Sequence, residues 1–271
     1  MSPPSISPVL TSTTTVSKLS RNIRLAIFET DPDNVTVCGS FAQLFETLFT
    51  NSTTEKEEAL ENVHLELVNF NVVKGNYPAP GDFDGILITG SRATAFDCEK
   101  WIINLSDYIY KAYTTSTTRL VGICFGHQII ARALGGVVEQ NPKGWEVSVT
   151  ALSMDSEGIA AKLFPEAAQV GELILQEMHR DHVATVPDGV HIFASSPVSP
   201  VQGMFVPKKL LTLQGHPEFN SEVARALVER VIRDGGLTEE QGKDALARVE
   251  KKNHGGAVGK AVVRFLSGVL D

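Results

Sequence analysis

Short, almost wholly apolar runs alternate with stretches of helical periodicity over the first half of this 271-residue chain. Strands that are buried on both faces of a sheet have such continuous apolar composition, and helices between them supply the long crossovers that parallel strands require. The alternation therefore predicts an α/β fold with a mostly parallel central sheet and helices on both faces. The apolar runs span residues 25–28, 65–70, 85–89 and 120–123, and the helical patterns include 41–49 and 128–134.

The apolar runs follow one another more closely after Trp145. Closely spaced strands are typical of hairpins, which pair in the antiparallel sense. We therefore expect a small mixed or antiparallel flank beside the parallel sheet, and helical patterns complete the chain from Glu222. The runs in this half span residues 147–152, 173–176, 191–194, 202–206 and 210–213.

The N-terminus differs in composition from the rest of the chain. Half of residues 1–20 are Ser or Thr and three are Pro, so this segment has little apolar area with which to offset the entropy of ordering. The composition predicts a disordered tail over 1–21, followed by a single domain over 22–271 with a helical C-terminal extension.

Charge and hydropathy exclude several classes of protein. The net charge of −8 repels phosphate backbones, so a nucleic-acid partner is not expected. Apolar runs stay well short of about 18 residues, and no apolar segment follows a basic N-terminus, which predicts neither a membrane span nor a secretory signal. We expect a cytoplasmic protein, although Lys18, Arg21 and Arg24 precede the first acidic residue, Glu29, and weakly resemble a mitochondrial transit peptide.

The three cysteines are far apart and form no C-x-x-C pair, which fits neither a disulfide framework nor a zinc knuckle. Cys38 and Cys98 are expected to be inert small apolar residues. Cys124 differs because it stands in Gly122-Ile123-Cys124-Phe125-Gly126, between an apolar strand and a helix. This is the pattern of a nucleophile elbow, in which small residues two before and two after the nucleophile allow a strained turn. The start of the helix would place a positive dipole end beside the sulfur.

A thiolate nucleophile usually needs a histidine that accepts and returns a proton. His216 follows the strand-like run 211–214, so it is expected at a strand's end, where ligands bind open α/β sheets. Glu218 lies two residues further on and can orient the imidazole, as an acidic residue does in hydrolytic triads.

The motifs Gly-Ile-Cys-Phe-Gly-His-Gln and Gln-Gly-His-Pro-Glu-Phe together closely resemble the class I (triad) glutamine amidotransferase family. The likeness is greatest to its stand-alone members, which are similar to the glutaminase half of GMP synthase or to γ-glutamyl peptidases. The resemblance implies the family's α/β fold and a catalytic triad of Cys124, His216 and Glu218. It also implies that the backbone N–H groups of Gly90 and Phe125 bind the oxyanion.

The same resemblance implies that Gln128 contacts the glutamine part of the substrate. Ammonia-channelling members often have Gly-Gly-Pro at the oxyanion strand, whereas this chain has Gly90-Ser91-Arg92, which resembles the γ-glutamyl peptidase-like branch. Arg92 is a candidate for binding a substrate carboxylate, and a solvated loop arginine is the alternative.

The function that follows is cysteine-dependent hydrolysis of a γ-glutamyl amide, in glutamine or in γ-glutamyl peptides, through a γ-glutamyl thioester. One alternative is a glutaminase subunit that supplies ammonia to a separate synthase partner, and a second is a catalytically silent binding or regulatory module. No cofactor is expected, since the chain contains no P-loop or other ATP signature.

Other histidines near these motifs admit further interpretations. His127 could act as the base, but a histidine at a helix start more often packs and hydrogen-bonds locally. His179 and His182 have H-x-x-H spacing, yet the segment has the pattern of a strand end and lacks further ligands, so no metal site is expected. The segments around Glu146 and His179 resemble parts of the family that lie beside the pocket, with roles left open.

Overall fold

A computed structural model describes residues 21–54, 57, 60, 62–155 and 158–270. The strands are β1 (Arg21–Glu29), β2 (Val63–Asn71), β3 (Gly85–Ile88), β4 (Arg119–Ile123), β5 (Val137–Gln140), β6 (Glu146–Met154), β7 (Glu172–His179), β8 (Asp181–Thr185), β9 (His191–Ser195), β10 (Gly203–Val206) and β11 (Leu210–Leu213). The helices are α1 (Phe41–Thr54), α2 (Lys100–Thr115), α3 (Phe125–Ala133), α4 (Ile159–Leu163), α5 (Pro165–Ala168), α6 (Ser221–Arg233), α7 (Glu239–Arg248) and α8 (Gly255–Ser267).

Within these residues, one nine-stranded sheet has the order β2-β1-β3-β4-β11-β10-β9-β6-β7. Strands β2, β1, β3, β4 and β11 pair in parallel, and the remaining neighbours pair antiparallel. The predicted α/β fold is confirmed. The antiparallel flank shares the central sheet, because β11 pairs with β4 on one side and with β10 on the other. A separate antiparallel pair is formed by β5 and β8.

Helices cover both faces of the parallel half. Successive side chains of a strand point to opposite faces, so both faces of the wholly apolar strands need a cover. One face packs against α1 and α8, and the other packs against α2 and α3. The first layer includes Leu25, Ile27, Phe45, Val262 and Phe265, and the second includes Ala26, Phe28, Ile102, Leu105 and Ile129.

The adjacent parallel strands β3, β4 and β11 end at the same edge of the sheet. Gly90 follows β3, Cys124 follows β4 and His216 follows β11. The Cys124 N–H donates to the Leu213 carbonyl at 2.9 Å, which ties β4 to β11 at this edge. The topology therefore brings together three segments that lie far apart in the sequence, at the edge where open α/β sheets bind ligands.

The predicted tail lies outside the described residues except for Arg21, which already belongs to β1 and pairs with Val63 on β2. In the part of the chain that the structure covers, none of the helices has the length and apolar character needed to cross a bilayer.

Candidate active site

Cys124 occupies the turn between β4 and α3 in a backbone conformation that side chains rarely adopt, with φ of 53° and ψ of −105°. The turn closes tightly, because a Cβ on Gly126 would overlap the Ile88 carbonyl and one on Gly122 would overlap the backbone of Gly126. The sequence expectation of small residues on both sides of the cysteine thus has a steric reason at each glycine. The sulfur lies at the N-terminus of α3, where the helix dipole stabilises negative charge.

His216 is a buried imidazole with two supports. Its Nδ1 lies 2.7 Å from Glu218 Oε1, and its ring stacks on Phe219 with centroids 3.9 Å apart. Burial alone would lower the pKa of His216, but Glu218 and Cys124 outweigh it and raise the pKa to about 10. The imidazolium is therefore the form of His216 that this arrangement favours at neutral pH.

Gly90 approaches both of these side chains. A Cβ placed on Gly90 would lie 2.9 Å from His216 Cε1 and 3.7 Å from Cys124 Cβ. The Thr30 hydroxyl donates to the Gly90 carbonyl at 2.8 Å and so anchors the end of this strand. Phe125 is the first residue of α3, and the N–H of a first helical residue has no acceptor within the helix. Both predicted oxyanion positions therefore lie at the edge that holds Cys124 and His216.

A pocket opens over these residues at the carboxyl edge of the sheet. It is lined by Cys124, His216 and Gln128 and also by residues from the loop after β1, the loop after β3 and helix α6. The lining residues are Asn34, Phe41, Ser91, Arg92, Ala93, Thr94, Cys124, Gln128, Gln140, Trp145, Met178, His179, Arg180, Asp181, His216, Phe219, Leu227, Arg230 and Val231.

Gln128 lines this pocket with its amide nitrogen already engaged. Its Nε2 donates to the Asp181 carbonyl at 2.8 Å and to Gln214 Oε1 at 3.0 Å. These two bonds use both amide hydrogens, so a substrate contact by the Gln128 side chain would fall to its Oε1.

Arg92 also lines the pocket, and it is held by Asp31. Nε lies 2.7 Å from Asp31 Oδ2 and Nη2 lies 2.9 Å from Oδ1, which is a bidentate pair. The hydrogen bond to Asp31 raises the pKa of the guanidinium. The bidentate edge of Arg92 is therefore occupied, and binding of a substrate carboxylate, which stays a prediction, would use its other N–H groups.

The alternative histidines lie in different environments. His127 Nδ1 is 2.8 Å from the Thr212 hydroxyl, and burial lowers the pKa of this histidine to about 3, so it is a neutral core residue. His179 is surrounded by Glu146 and Glu177, and His182 is 3.8 Å from Glu139. Among the described residues, no group of three or more His, Cys, Asp or Glu side chains has an arrangement suited to a metal ion.

Cys38 and Cys98 are both exposed, in contrast to buried Cys124. Their exposure differs from the burial typical of small apolar residues, and their expected lack of reactivity stays a prediction. Cys38 lies in the loop before α1, with its sulfur 3.5 Å from Asn220 Nδ2. Burial distinguishes the three thiols in a way that their spacing in the sequence does not.

The α6 wall of the pocket was not predicted from the sequence. Arg230 on α6 donates to Asn34 Oδ1 at 3.2 Å, a contact between two lining residues that are 196 positions apart. Leu227 and Val231 extend this wall, and they appear in the sequence only as one side of an amphipathic helix. No local signal separates such positions from ordinary core residues.

Known proteins resemble this chain in sequence and in fold. The family model for glutamine amidotransferase class-I matches residues 48–233, which include the Gly90, Cys124, His216 and Glu218 positions. The Saccharomyces cerevisiae protein YLR126C, whose name carries a provisional amidotransferase assignment, is 41% identical over 212 residues, covering 74% of this chain and 81% of that protein. Gamma-glutamyl peptidase 2 of Arabidopsis thaliana is 30% identical over 233 residues, covering 84% of this chain and 90% of that protein.

A solved structure of a glutamine amidotransferase from Thermotoga maritima superposes with a TM-score of 0.68 at 17% identity, covering 90% of this chain and 98% of that chain. This likeness concerns the fold, whereas the family match covers the ends of β3, β4 and β11 and the pocket residues from Ser91 onwards. By the family match and the similarity in sequence to the yeast protein, the chain belongs to the class I glutamine amidotransferase family.

Proposed function

We propose that the protein is a cysteine-dependent hydrolase of γ-glutamyl amide bonds that acts on γ-glutamyl peptides or glutamine. The observation that carries this proposal is the convergence of Cys124 on its strained turn, the His216–Glu218 pair at 2.7 Å and Gly90 in one pocket. A nucleophile, a positioned proton carrier and backbone donors at one point are what acyl transfer requires.

In the first half-reaction, the Cys124 thiolate attacks the γ-carbonyl carbon, and the N–H groups of Gly90 and Phe125 hydrogen-bond to the resulting oxyanion. The tetrahedral intermediate collapses as the His216 imidazolium gives its proton to the leaving amine. The C–N bond breaks, and a γ-glutamyl thioester remains on Cys124.

In the second half-reaction, neutral His216 takes a proton from water, and the hydroxide formed attacks the thioester. The C–S bond breaks, glutamate leaves, and the thiolate and imidazolium are restored. Glu218 keeps the imidazole ring in position and stabilises its charged form throughout.

The lining of the pocket supports a leaving group larger than ammonia. Phe41, Leu227 and Val231 contribute apolar groups to the lining, and Arg230 adds a cation that Asn34 orients. An amino acid or peptide would bury apolar area on this lining, whereas ammonia is too small to use it. The similarity to a gamma-glutamyl peptidase agrees with this choice.

The test is glutamate release by the purified chain from glutamine and from γ-glutamyl-phenylalanine, with Cys124→Ala as the inactive comparison. Higher kcat/KM for the dipeptide, lost in Cys124→Ala, is the expected result. A preference for glutamine by two or more orders of magnitude would favour a glutaminase subunit. Release from neither substrate, together with an unreactive Cys124, would favour a silent binding module.

A further inference from the structure

Three titratable side chains that the reaction does not use meet beside the pocket. His179 Nε2 lies 3.2 Å from Glu146 Oε2 and 3.3 Å from Glu177 Oε2, and all three residues are buried. Glu146 and His179 face each other across the β6–β7 ladder, and Glu177 is two residues earlier on the same face. We call Glu146, Glu177 and His179 the charge cluster.

Burying the three ionisable groups of the charge cluster in the protein core costs desolvation free energy. Burial lowers the pKa of His179, but the adjacent carboxyl groups of Glu146 and Glu177 outweigh this effect and raise the pKa to about 10. Burial also raises the pKa of Glu177. Apolar residues of similar size often stabilise a core as well as a buried ion pair does, so such a group calls for a reason other than stability.

Strand β7, which carries two members of the charge cluster, contacts the backbone of His216 and the sulfur of Cys124. The Gln176 carbonyl accepts a hydrogen bond from the backbone N–H of His216 at 2.8 Å, and the Met178 carbonyl lies 4.0 Å from Cys124 Sγ. Between these two contacts, the Glu177 carboxyl packs directly against Gly215, the residue before His216. The position of one short segment of β7 therefore affects the nucleophile and the base together.

The charge cluster also continues into the pocket wall. His179 Nδ1 lies 3.0 Å from the Asp181 carbonyl, which also accepts the hydrogen bond from Gln128 Nε2. On the other strand, Glu146 Oε2 accepts a 2.8 Å hydrogen bond from Gln202 Nε2. The imidazolium thus contacts residues of β6 and β7 and the first residue of β8.

We propose that Glu146, Glu177 and His179 are positioning residues, whose carboxylate–imidazolium–carboxylate arrangement fixes the end of β7 where it aligns Cys124 with His216. The proposal rests on the proposed roles of Cys124 and His216. Without the imidazolium between them, the two buried carboxyl groups lose their shared partner, and their ionised forms repel each other across the end of this strand. The strand end would shift, and a displacement of about 1 Å is enough to impair a reaction by roughly a hundredfold.

The test uses the full chain with Cys38→Ser and Cys98→Ser, so that iodoacetamide reports on Cys124 alone. In this parent, His179→Gln is expected to slow Cys124 alkylation and to lower kcat by at least about tenfold. The double variant His179→Gln/Glu177→Gln removes one of the opposing carboxylates, and it should recover most of both losses. A role in stability alone does not predict this recovery, because a second buried substitution ordinarily adds to the damage.

Arg248→Gln is the matched control. Arg248 binds the carbonyls of Val147 and Val149 from α7, so it supports the same pair of strands away from the pocket. It should lower the melting temperature but leave alkylation and kcat within about twofold of the parent. The proposal is overturned if His179→Gln behaves like this control, or if the double variant is as slow as the single one.

A second variant covers the case in which His179→Gln does not fold, and a separate comparison of the three cysteines tests the proposed function. If His179→Gln does not fold, Glu177→Gln, which keeps the imidazolium paired with Glu146, should still slow alkylation several-fold, and an unchanged rate overturns the proposal. In the chain with its native cysteines, mass mapping should find Cys124 alkylated faster than exposed Cys38 and Cys98. Failure of that comparison would instead count against the proposed function.

Discussion

At the scale of single residues, the geometry of the candidate active site depends on glycines, where a side chain would collide with neighbouring groups. Gly90 is one of these, since a Cβ there would come within 2.9 Å of the His216 ring. Gly256 offers a comparison, because a Cβ on it would meet nothing within 4 Å.

Gly90→Ala should therefore displace His216 or the oxyanion strand and lower kcat by roughly a hundredfold or more, the loss associated with one oxyanion donor. Gly256→Ala should leave kcat unchanged. Steady-state kinetics and thermal melts of both variants check this. Near-native turnover by Gly90→Ala would mean that this strand does not contribute to catalysis.

Glu218 and His216 should differ in their effects on rate. Glu218→Gln retains a hydrogen-bond acceptor for Nδ1, whereas His216→Ala removes the proton carrier, so turnover should fall less in the first variant. Measurement of kcat for both variants, with circular dichroism to confirm folding, tests the assignment. Equal losses would show that Glu218 does more than orient and charge the ring.

Arg92 and Asp31 form a pair whose role can be tested by KM. If the N–H groups of Arg92 that do not face Asp31 bind the substrate's α-carboxylate, Arg92→Ala should raise KM roughly tenfold for every γ-glutamyl substrate. The kcat should change little, because that contact is the same in the ground state and the transition state. An increase confined to one substrate would place Arg92 beside the leaving group instead.

At the scale of elements, helix α8 stabilises the fold by packing on one face of the sheet, and none of its residues lines the pocket. Its Phe265 is fully buried, packs edge-on against Phe205 with centroids 5.9 Å apart, and lies beneath the Arg119 guanidinium. None of these three residues lines the pocket.

Phe265→Ala should therefore lower the free energy of unfolding by about 3–5 kcal/mol, the usual cost of truncating a buried Phe. The kcat of the remaining folded protein should be near native. Urea denaturation and kinetics at a temperature well below the transition measure the two effects. A large loss of kcat in folded protein would reveal a connection between α8 and the active site that the contacts do not indicate.

At the scale of the whole molecule, two buried imidazoliums make stability depend on pH. His179 and His216 have pKa values of about 10 in the folded protein, against 6.5 for an ordinary histidine. A raised folded-state pKa contributes stability that is fully present below about pH 6.5 and is lost as pH rises towards 10.

Urea unfolding between pH 6.5 and pH 10 should thus show a decreasing free energy of unfolding. The slope should be smaller in His179→Gln/Glu177→Gln, which lacks one of the two imidazoliums. Constant or rising stability over this interval in the parent chain would contradict the charge states assigned to both sites.

Local patterns were enough to predict the fold class and the tight turn at Cys124. The apolar runs identify the buried strands because a strand covered on both faces needs apolar side chains at every position. The turn at Cys124 was predictable because its two glycines meet a steric demand that arises within five residues. The alternation of apolar and helical patterns also indicated the correct order of strands and helices in the parallel half.

Only the tertiary structure showed which polar residues that are distant in the sequence pair with each other. Asp31 pairs with Arg92, which is 61 positions away in the sequence, and Asn34 accepts a hydrogen bond from Arg230, which is 196 positions away. The register of β6 and β7 places Glu146 opposite His179. The sequence indicated that these residues were polar, but not which of them would be buried together. A polar side chain's charge and partner depend on which strands pair and in what register, and that choice is made by the burial of the whole core.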